Sequence, residues 1–101
     1  MLKNLTAVEI QEMKDVSKKL RRNILKMIHS AQSGHPGGSL SCIDILNVLF
    51  TKIMKTCPKG AVEKDFQTRD RFILSKGHAS PALYAIKAVS ISSNFAYKYL
   101  I

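Results

Sequence analysis

The sequence predicts an α/β fold in which helices predominate, with three helical segments and one short buried strand. Apolar side chains recur at steps of three and four over residues 7–32, the spacing of one helix face. A short apolar run at residues 71–74, between charged residues and a glycine, is typical of a buried strand. The chain has 101 residues, so it forms at most one small domain.

The first helix is predicted to begin after Thr6, because Thr6 and Glu9 have the spacing of a capping box. It should end near Gly34, since glycine favours the position after a helix and Pro36 cannot continue one. Its apolar stripe consists of Met13, Val16, Leu20, Ile24, Met27 and Ala31. The opposite face carries Lys14, Lys18, Arg22 and Lys26. No aromatic residue interleaves with these cations, so we expect a solvated face rather than a platform for bases.

Two further helices are expected. The second is predicted after Ser39 or Ser41, either of which can cap a helix, and should end by Pro58. Its predicted buried face consists of Ile43, Leu46, Phe50 and Ile53. The third is predicted to start with Ser80 as its cap and Pro81 in the first position, and to continue to about Ser90.

The chain is basic, with 16 Lys and Arg against 7 Asp and Glu, and a net charge of +9. This balance raises nucleic acid, an anionic membrane and phosphorylated ligands as partners. No segment has the pattern of a secretory signal or the length of a membrane span. Cys42 and Cys57 form neither a CxxC pair nor a disulfide framework, which favours free thiols in a reducing compartment. We therefore expect a soluble, cytoplasmic protein without a membrane partner.

Two histidines follow glycine in loops, His35 in SGHPGG and His78 in SKGHASP. Each loop precedes a predicted helix N-terminus, where free N–H groups favour an anion. Imidazole can donate one hydrogen bond and accept another. Two such rings in one cleft would suit a phosphorylated cofactor and a polyhydroxylated substrate. A capped turn with a solvated histidine is the alternative for either loop alone, and His29 is predicted to be a surface residue.

These segments resemble the start of a transketolase. The resemblance rests on LRRNILKMIHSAQSGHPGGSLSCIDILNVLF followed by RDRFILSKGHASPALYA, and it covers residues 16–86. The resemblance is strongest with the N-terminal subunit of split transketolases, which consist of two chains. The resemblance implies a helix-rich N-terminal piece of a doubly wound parallel-sheet domain that binds thiamine diphosphate. It also implies transfer of a two-carbon ketol unit between sugar phosphates, with a C-terminal transketolase subunit or a second copy as partner.

The resemblance also implies roles for individual residues. His35 matches a histidine that meets the substrate and assists proton movements, so it is expected to be catalytic and substrate-binding. Ser33 is expected to contribute to the same substrate site. His78 matches a histidine beside the diphosphate of the cofactor, and Gly77 and Lys76 are expected to bind the cofactor with it.

The sequence departs from the family pattern in two places. The family holds Mg²⁺ or another divalent metal through a Gly-Asp-Gly motif, and this sequence contains none. After residue 86 the likeness ends, and residues 87–101 contain no acid. We therefore expect residues 1–101 to be a truncated, partial domain with a divergent tail at 87–101, without metal ligands and without activity of its own.

Two alternatives stay open at this point. One is a small, non-catalytic basic helical module that binds nucleic acid, which explains the charge but neither of the loops. The other is a module that docks on a partner subunit through exposed apolar faces. A single strand cannot form a sheet by itself, so the isolated chain is expected to be a loose helical assembly or to fold against further segments.

Overall fold

The helices of the chain follow the apolar pattern of the sequence. A computed structural model describes residues 4–55 and 67–90. The α-helices are α1 (Ala7–Ala31), α2 (Pro36–Leu40), α3 (Ile43–Val48) and α4 (Ser80–Ser90). A π-helical turn (Leu49–Ile53) extends α3, and a 3₁₀ turn (Gly77–Ala79) leads into α4.

Helix α1 begins where the sequence predicts. The Thr6 hydroxyl oxygen accepts the backbone N–H of Glu9 at 3.1 Å, and the Glu9 carboxylate accepts the N–H of Thr6 at 3.1 Å. The capping box is therefore confirmed. At the other end, Gln32 caps the helix in the left-handed conformation, with φ 55°. Gly34 follows with φ 107°, a conformation in which a glycine avoids the clash of a Cβ atom.

One apolar core joins α1, α3 and α4. Its members are Leu20, Ile24, Ile43, Leu46, Phe50, Ala82, Ala85 and Ile86. The predicted stripe of α1 is confirmed at its centre, where Leu20 and Ile24 are fully buried. Val16 and Met27 pack against this core, whereas Ala31 at the end of the helix is exposed.

The second predicted helix is divided in two. Its predicted caps are wrong, because His35 is the N-cap of α2 and Cys42 is the N-cap of α3. Pro36 starts α2, a position where its missing N–H costs no hydrogen bond. Ser39 is fully buried within α2, and Ser41 follows its last residue.

The end of this region also differs from the prediction. Phe50 is buried as expected, but Ile53 is 47% exposed. The π-helical turn explains the difference, because its i→i+5 hydrogen bonds break the spacing of three and four that would keep Ile53 on the buried face. The helical region ends at Ile53, where Met54 is extended, so it ends before Pro58 as predicted. Cys57, Pro58 and residues 91–101 of the expected tail lie outside the described residues.

The third predicted helix is confirmed as α4 (Ser80–Ser90). Ser80 does not cap it. This residue lies inside the helix, and its hydroxyl donates to the carbonyl of Gly77 at 2.6 Å. The 3₁₀ turn at Gly77–Ala79 therefore takes the place of a side-chain cap.

The strand predicted at residues 71–74 is not confirmed, and residues 4–55 and 67–90 contain no β-strand. Burial still alternates there, since Phe72 and Leu74 are half-buried while Ile73 is 87% exposed. Phe72 packs edge-to-face on Phe50, with ring centroids 5.3 Å apart. A strand needs a neighbouring strand for its N–H and C=O groups, and the described segments supply none. The expected α/β sheet is thus not formed by these residues.

Lys55 and Asp70 join the two described segments. The N–H of Asp70 donates to the carbonyl of Lys55 at 2.7 Å, and the N–H of Lys55 donates to the Asp70 carboxylate at 2.7 Å. This reciprocal pair brings residues 70–79 alongside the first half of the chain. Of the helices described, none is long and apolar enough to cross a membrane.

Candidate functional site

The two glycine-histidine loops lie side by side. We call residues 33–41 the first loop and residues 75–79 the second loop. The first loop connects α1 to α3 and contains α2, and the second loop contains the 3₁₀ turn before α4. Contacts between α2 and the 3₁₀ turn bring the loops together. Both histidines precede helices as predicted, with His35 at the N-cap of α2 and His78 in the 3₁₀ turn.

The imidazole of His78 lies against Gly38. A Cβ atom added to Gly38 would be 2.7 Å from Cδ2 of His78 and 3.2 Å from its Nε2. Gly38 lies within α2 and does not have a positive φ. Its missing side chain therefore makes room for the ring rather than allowing an unusual backbone conformation.

A second contact joins Lys76 to Ser41. The Lys76 ammonium donates to the Ser41 hydroxyl oxygen at 2.9 Å, and that hydroxyl donates to the carbonyl of Gly38 at 3.0 Å. A hydroxyl has one donor and two acceptor positions, so it can make both bonds at once. The first loop thus holds the second loop through His78 and through Lys76.

His35 and Ser33 are placed differently. Both residues are exposed, and the His35 side chain does not cap α2. Neither side chain makes a hydrogen bond or ion pair with any other described residue. The structure therefore brings His78 and Lys76 to the first loop, and leaves His35 and Ser33 open to solvent at its N-terminal end.

The loops offer hydrogen-bond donors and positive charge without any acid. No Asp or Glu occurs in residues 33–41 or 75–81. The first acid after the first loop, Asp44, is paired with Arg21. The fully buried Ser39 hydroxyl in α2 has no hydrogen-bond partner within the described ranges. Ammonium, imidazole and hydroxyl groups are donors suited to phosphate oxygens, so the chemistry of this site favours an anionic ligand.

The described part of the chain offers no metal centre. No three side chains among its His, Cys, Asp and Glu residues lie close enough together to hold an ion. Cys42 is half-buried, and its thiol lies 3.4 Å from the carbonyl oxygen of Gly38. Cys42 caps α3 and packs against the apolar core, so it has a structural place next to the first loop.

The basic face of α1 takes no part in the contacts between the two loops. Its four cations and His29 are exposed, as predicted. A groove of about 530 Å³ lies between α1 and α3. Its lining is mixed, because Lys14 and Lys18 of the basic face and the Arg21–Asp44 pair border it beside apolar side chains and Asn47. Buried Asn47 donates to the Ser17 hydroxyl at 2.9 Å and to the carbonyl of Met13 at 3.1 Å. These bonds fasten α3 to the N-terminal half of α1.

Two residues of the site, Gly38 and Ser41, are not predicted from the sequence. The two glycines of PGGS indicate a close approach of another group to the backbone, but the sequence does not show which of Gly37 and Gly38 is approached. Ser41 was predicted only as a possible helix cap. Its bond to Lys76 spans 35 residues, a separation that no local pattern reports.

Comparison with known proteins identifies the family. The family described as the transketolase, thiamine diphosphate binding domain, matches residues 12–93. The chain belongs to this family. The predicted resemblance to transketolases is thereby confirmed, and so is the thiamine diphosphate-binding type of the domain.

Individual transketolases agree with this assignment. The chain is 36% identical over 77 residues to an apulose-4-phosphate transketolase subunit of Phocaeicola vulgatus, a match that covers 76% of this chain and 26% of the relative. It is 39% identical over 82 residues to 6-deoxy-6-sulfo-D-fructose transketolase subunit SqwG of a Clostridium species, covering 81% of this chain and 28% of the relative. It is also 39% identical over 80 residues to mouse transketolase, covering 79% of this chain and 12% of the relative. The chain thus spans little more than a quarter, or less, of these relatives.

Proposed function

We propose that this chain supplies part of the cofactor and substrate site of a transketolase, which transfers a two-carbon ketol unit between sugar phosphates. The contact between the two loops carries the proposal, because it sets His78 and Lys76 of the second loop against Gly38 and Ser41, in the same loop as His35. Family membership supplies the class of reaction. The cations of the exposed basic face of α1 are not brought together with groups of another segment in this way, so nucleic acid is not proposed as a partner.

Thiamine diphosphate fits the second loop. Lys76 and His78 would bind its diphosphate, since both present donors and no acid lies in either loop. A Cβ atom on Gly77 would meet nothing within 4 Å, so the backbone there is open to a ligand. The cofactor, when bound, supplies the electron sink that two-carbon transfer requires. The chain's own contribution is to orient the anionic end of that cofactor.

The substrate would be met by the first loop. His35 makes no internal hydrogen bond among the described residues, so both of its ring nitrogens are available to substrate hydroxyls. It would take up and return protons there, which is work suited to imidazole. Ser33 precedes it by two residues and would bind a substrate hydroxyl.

Other parts of the site would come from elsewhere. The described residues do not fit a metal, so we propose that Mg²⁺ or another divalent ion is held by residues outside them. Two relatives are named as transketolase subunits. We accordingly propose a C-terminal transketolase subunit or a second copy as partner, and no activity for the chain alone. We further propose a parallel sheet completed by further segments and a cytoplasmic location. The family match extends to residue 93, so the proposed divergent tail is confined to the residues after it.

A chimera tests the proposal. Residues 12–93 of this chain would replace the matching segment in the Phocaeicola vulgatus protein, and the turnover of apulose 4-phosphate would be measured with the rest of that transketolase present. We expect the chimera to be active, and His35→Ala or His78→Ala to lower kcat/KM by about 100-fold or more.

The matched control is His29→Ala, which removes an exposed histidine of α1 that lies outside both loops. It should leave turnover within about twofold of the unsubstituted chimera. The proposal fails if an active chimera keeps its turnover when His35 or His78 is replaced, or if His29→Ala is equally damaging.

A further inference from the structure

We propose that Gly38 and Ser41 are positioning residues, which fix His78 and Lys76 in the orientation that an anionic ligand meets. The nature of the ligand rests on the proposed function. The positioning itself rests only on contacts between the loops. Neither residue needs to touch a ligand to have this effect.

Comparison of Gly37 with Gly38 shows that only position 38 is sterically coupled to the His78 ring. Both lie in α2, and neither has a positive φ. A Cβ atom on Gly37 would meet nothing within 4 Å, whereas one on Gly38 would lie 2.7 Å from the His78 ring and 3.6 Å from Cε of Lys76. Cβ contacts under 3.0 Å essentially never occur in proteins. With alanine at position 38, the imidazole has to leave its place.

Helix propensity favours alanine at both positions, whereas the conflict with the His78 ring disfavours alanine at position 38. The two contributions to stability can therefore be measured separately. Alanine is a better helix former than glycine, so Gly37→Ala should be neutral or stabilising. Gly38→Ala has the same intrinsic benefit and the added conflict with His78. Removing the ring should therefore remove the penalty.

Ser41 acts on Lys76 by a different route. The Ser41 hydroxyl proton points to the carbonyl of Gly38, so its lone pairs face the Lys76 ammonium. This orientation holds a flexible lysine side chain beside the His78 ring. Ser41→Ala would release the ammonium, and Ser41→Thr would keep the hydroxyl.

A double-mutant cycle on the full 101-residue chain tests the contact. The urea midpoint and the NMR ring signals of the histidines would be recorded for Gly38→Ala, Gly37→Ala and each combined with His78→Ala. We expect a nuclear Overhauser contact between the His78 ring and the α-protons of Gly38. Gly38→Ala should abolish that contact and give a lower midpoint than Gly37→Ala, and this difference should disappear when His78 is alanine.

Two results would overturn the positioning role. One is a destabilisation by Gly38→Ala that is the same with and without the His78 ring. The other is the absence of the ring contact from the unsubstituted chain, whether or not the chain is otherwise folded, because the loops would then not be held by these residues.

The chimera separates this inference from the proposed function. There, Gly38→Ala and Ser41→Ala should each raise the thiamine diphosphate concentration for half-maximal activity by roughly tenfold, the effect of losing one hydrogen bond to a charged group. Gly37→Ala should leave it unchanged, and Ser41→Thr should restore it. An inactive chimera whose parent chain shows the ring contact counts against the proposed function alone. An active chimera in which Gly38→Ala leaves the thiamine diphosphate concentration for half-maximal activity unchanged counts against the positioning role alone.

Discussion

The two glycine-histidine loops share a local pattern and differ in how they are held. His78 rests on Gly38, and Lys76 beside it is bonded to Ser41. The side chains of His78, Lys76 and His35 are all exposed, but His35 has no such support among the described residues. A side chain held in place before binding loses less conformational entropy when a ligand arrives. We infer that the second loop is preorganised, whereas His35 would be ordered by its substrate.

The loops also differ in their connection to the core. The second loop follows Phe72, whose ring packs on Phe50. The first loop follows α1, whose Leu20 and Ile24 lie at the centre of the core. Substitutions in the shared core should therefore disturb both loops, and substitutions at Phe72 should disturb mainly the second.

The largest effect is expected for Ile24→Ala. This side chain is fully buried, and its truncation should destabilise the chain by about 2–5 kcal/mol through lost burial and a cavity. The urea midpoint should fall, and the ring signals of both His35 and His78 should change. Leu25→Ala is the matched control, because Leu25 lies in the same helix and is 47% exposed. Equal losses for the two variants would contradict the core described here.

A smaller and more selective effect is expected for Phe72→Leu. Leucine keeps apolar volume but removes the edge-to-face contact with Phe50, which contributes about 0.5–1.5 kcal/mol. The His78 ring signals should shift, and those of His35 should not. Ile73→Ala serves as the control, since Ile73 is 87% exposed. A shift of His35 equal to that of His78 would show that the loops are not supported separately.

The smallest effect is expected from Glu9, at the far end of α1. Hydrogen bonds from Thr6, chiefly from its backbone N–H, lower the pKa of Glu9 below its ordinary value of 4.5, and Lys52 adds to this. A carboxyl whose folded pKa is lowered stabilises the fold above its unfolded pKa, and the contribution is lost as the pH falls through the folded value. The helical signal should thus weaken on acidification below pH 4.5. Glu9→Gln should reduce this dependence, and both histidine loops should be unaffected above that pH. An unchanged pH profile in Glu9→Gln would refute the role of the capping box.

Several features were predictable because they depend on neighbours along the chain. The start of α1 follows from Thr6 and Glu9, which are one helical turn apart, and the helix α4 follows from the apolar run after Pro81. Placing both histidines before helices follows from glycine and proline chemistry. Ile53 and the strand at residues 71–74 were mispredicted because burial depends on the π-helical turn and strand formation on a pairing partner, neither of which a local pattern contains.

By itself, the sequence determined the long helices, the capping box, the two glycine-histidine loops and membership of the transketolase family. Each of these depends on residue types at short spacing or on motifs read in order. The tertiary structure alone decided that His78 lies on Gly38 rather than on Gly37, and that Ser41 holds Lys76. These contacts join residues 35 or more positions apart, and they form only because packing of α4 against α1 and α3 brings the second loop to the first.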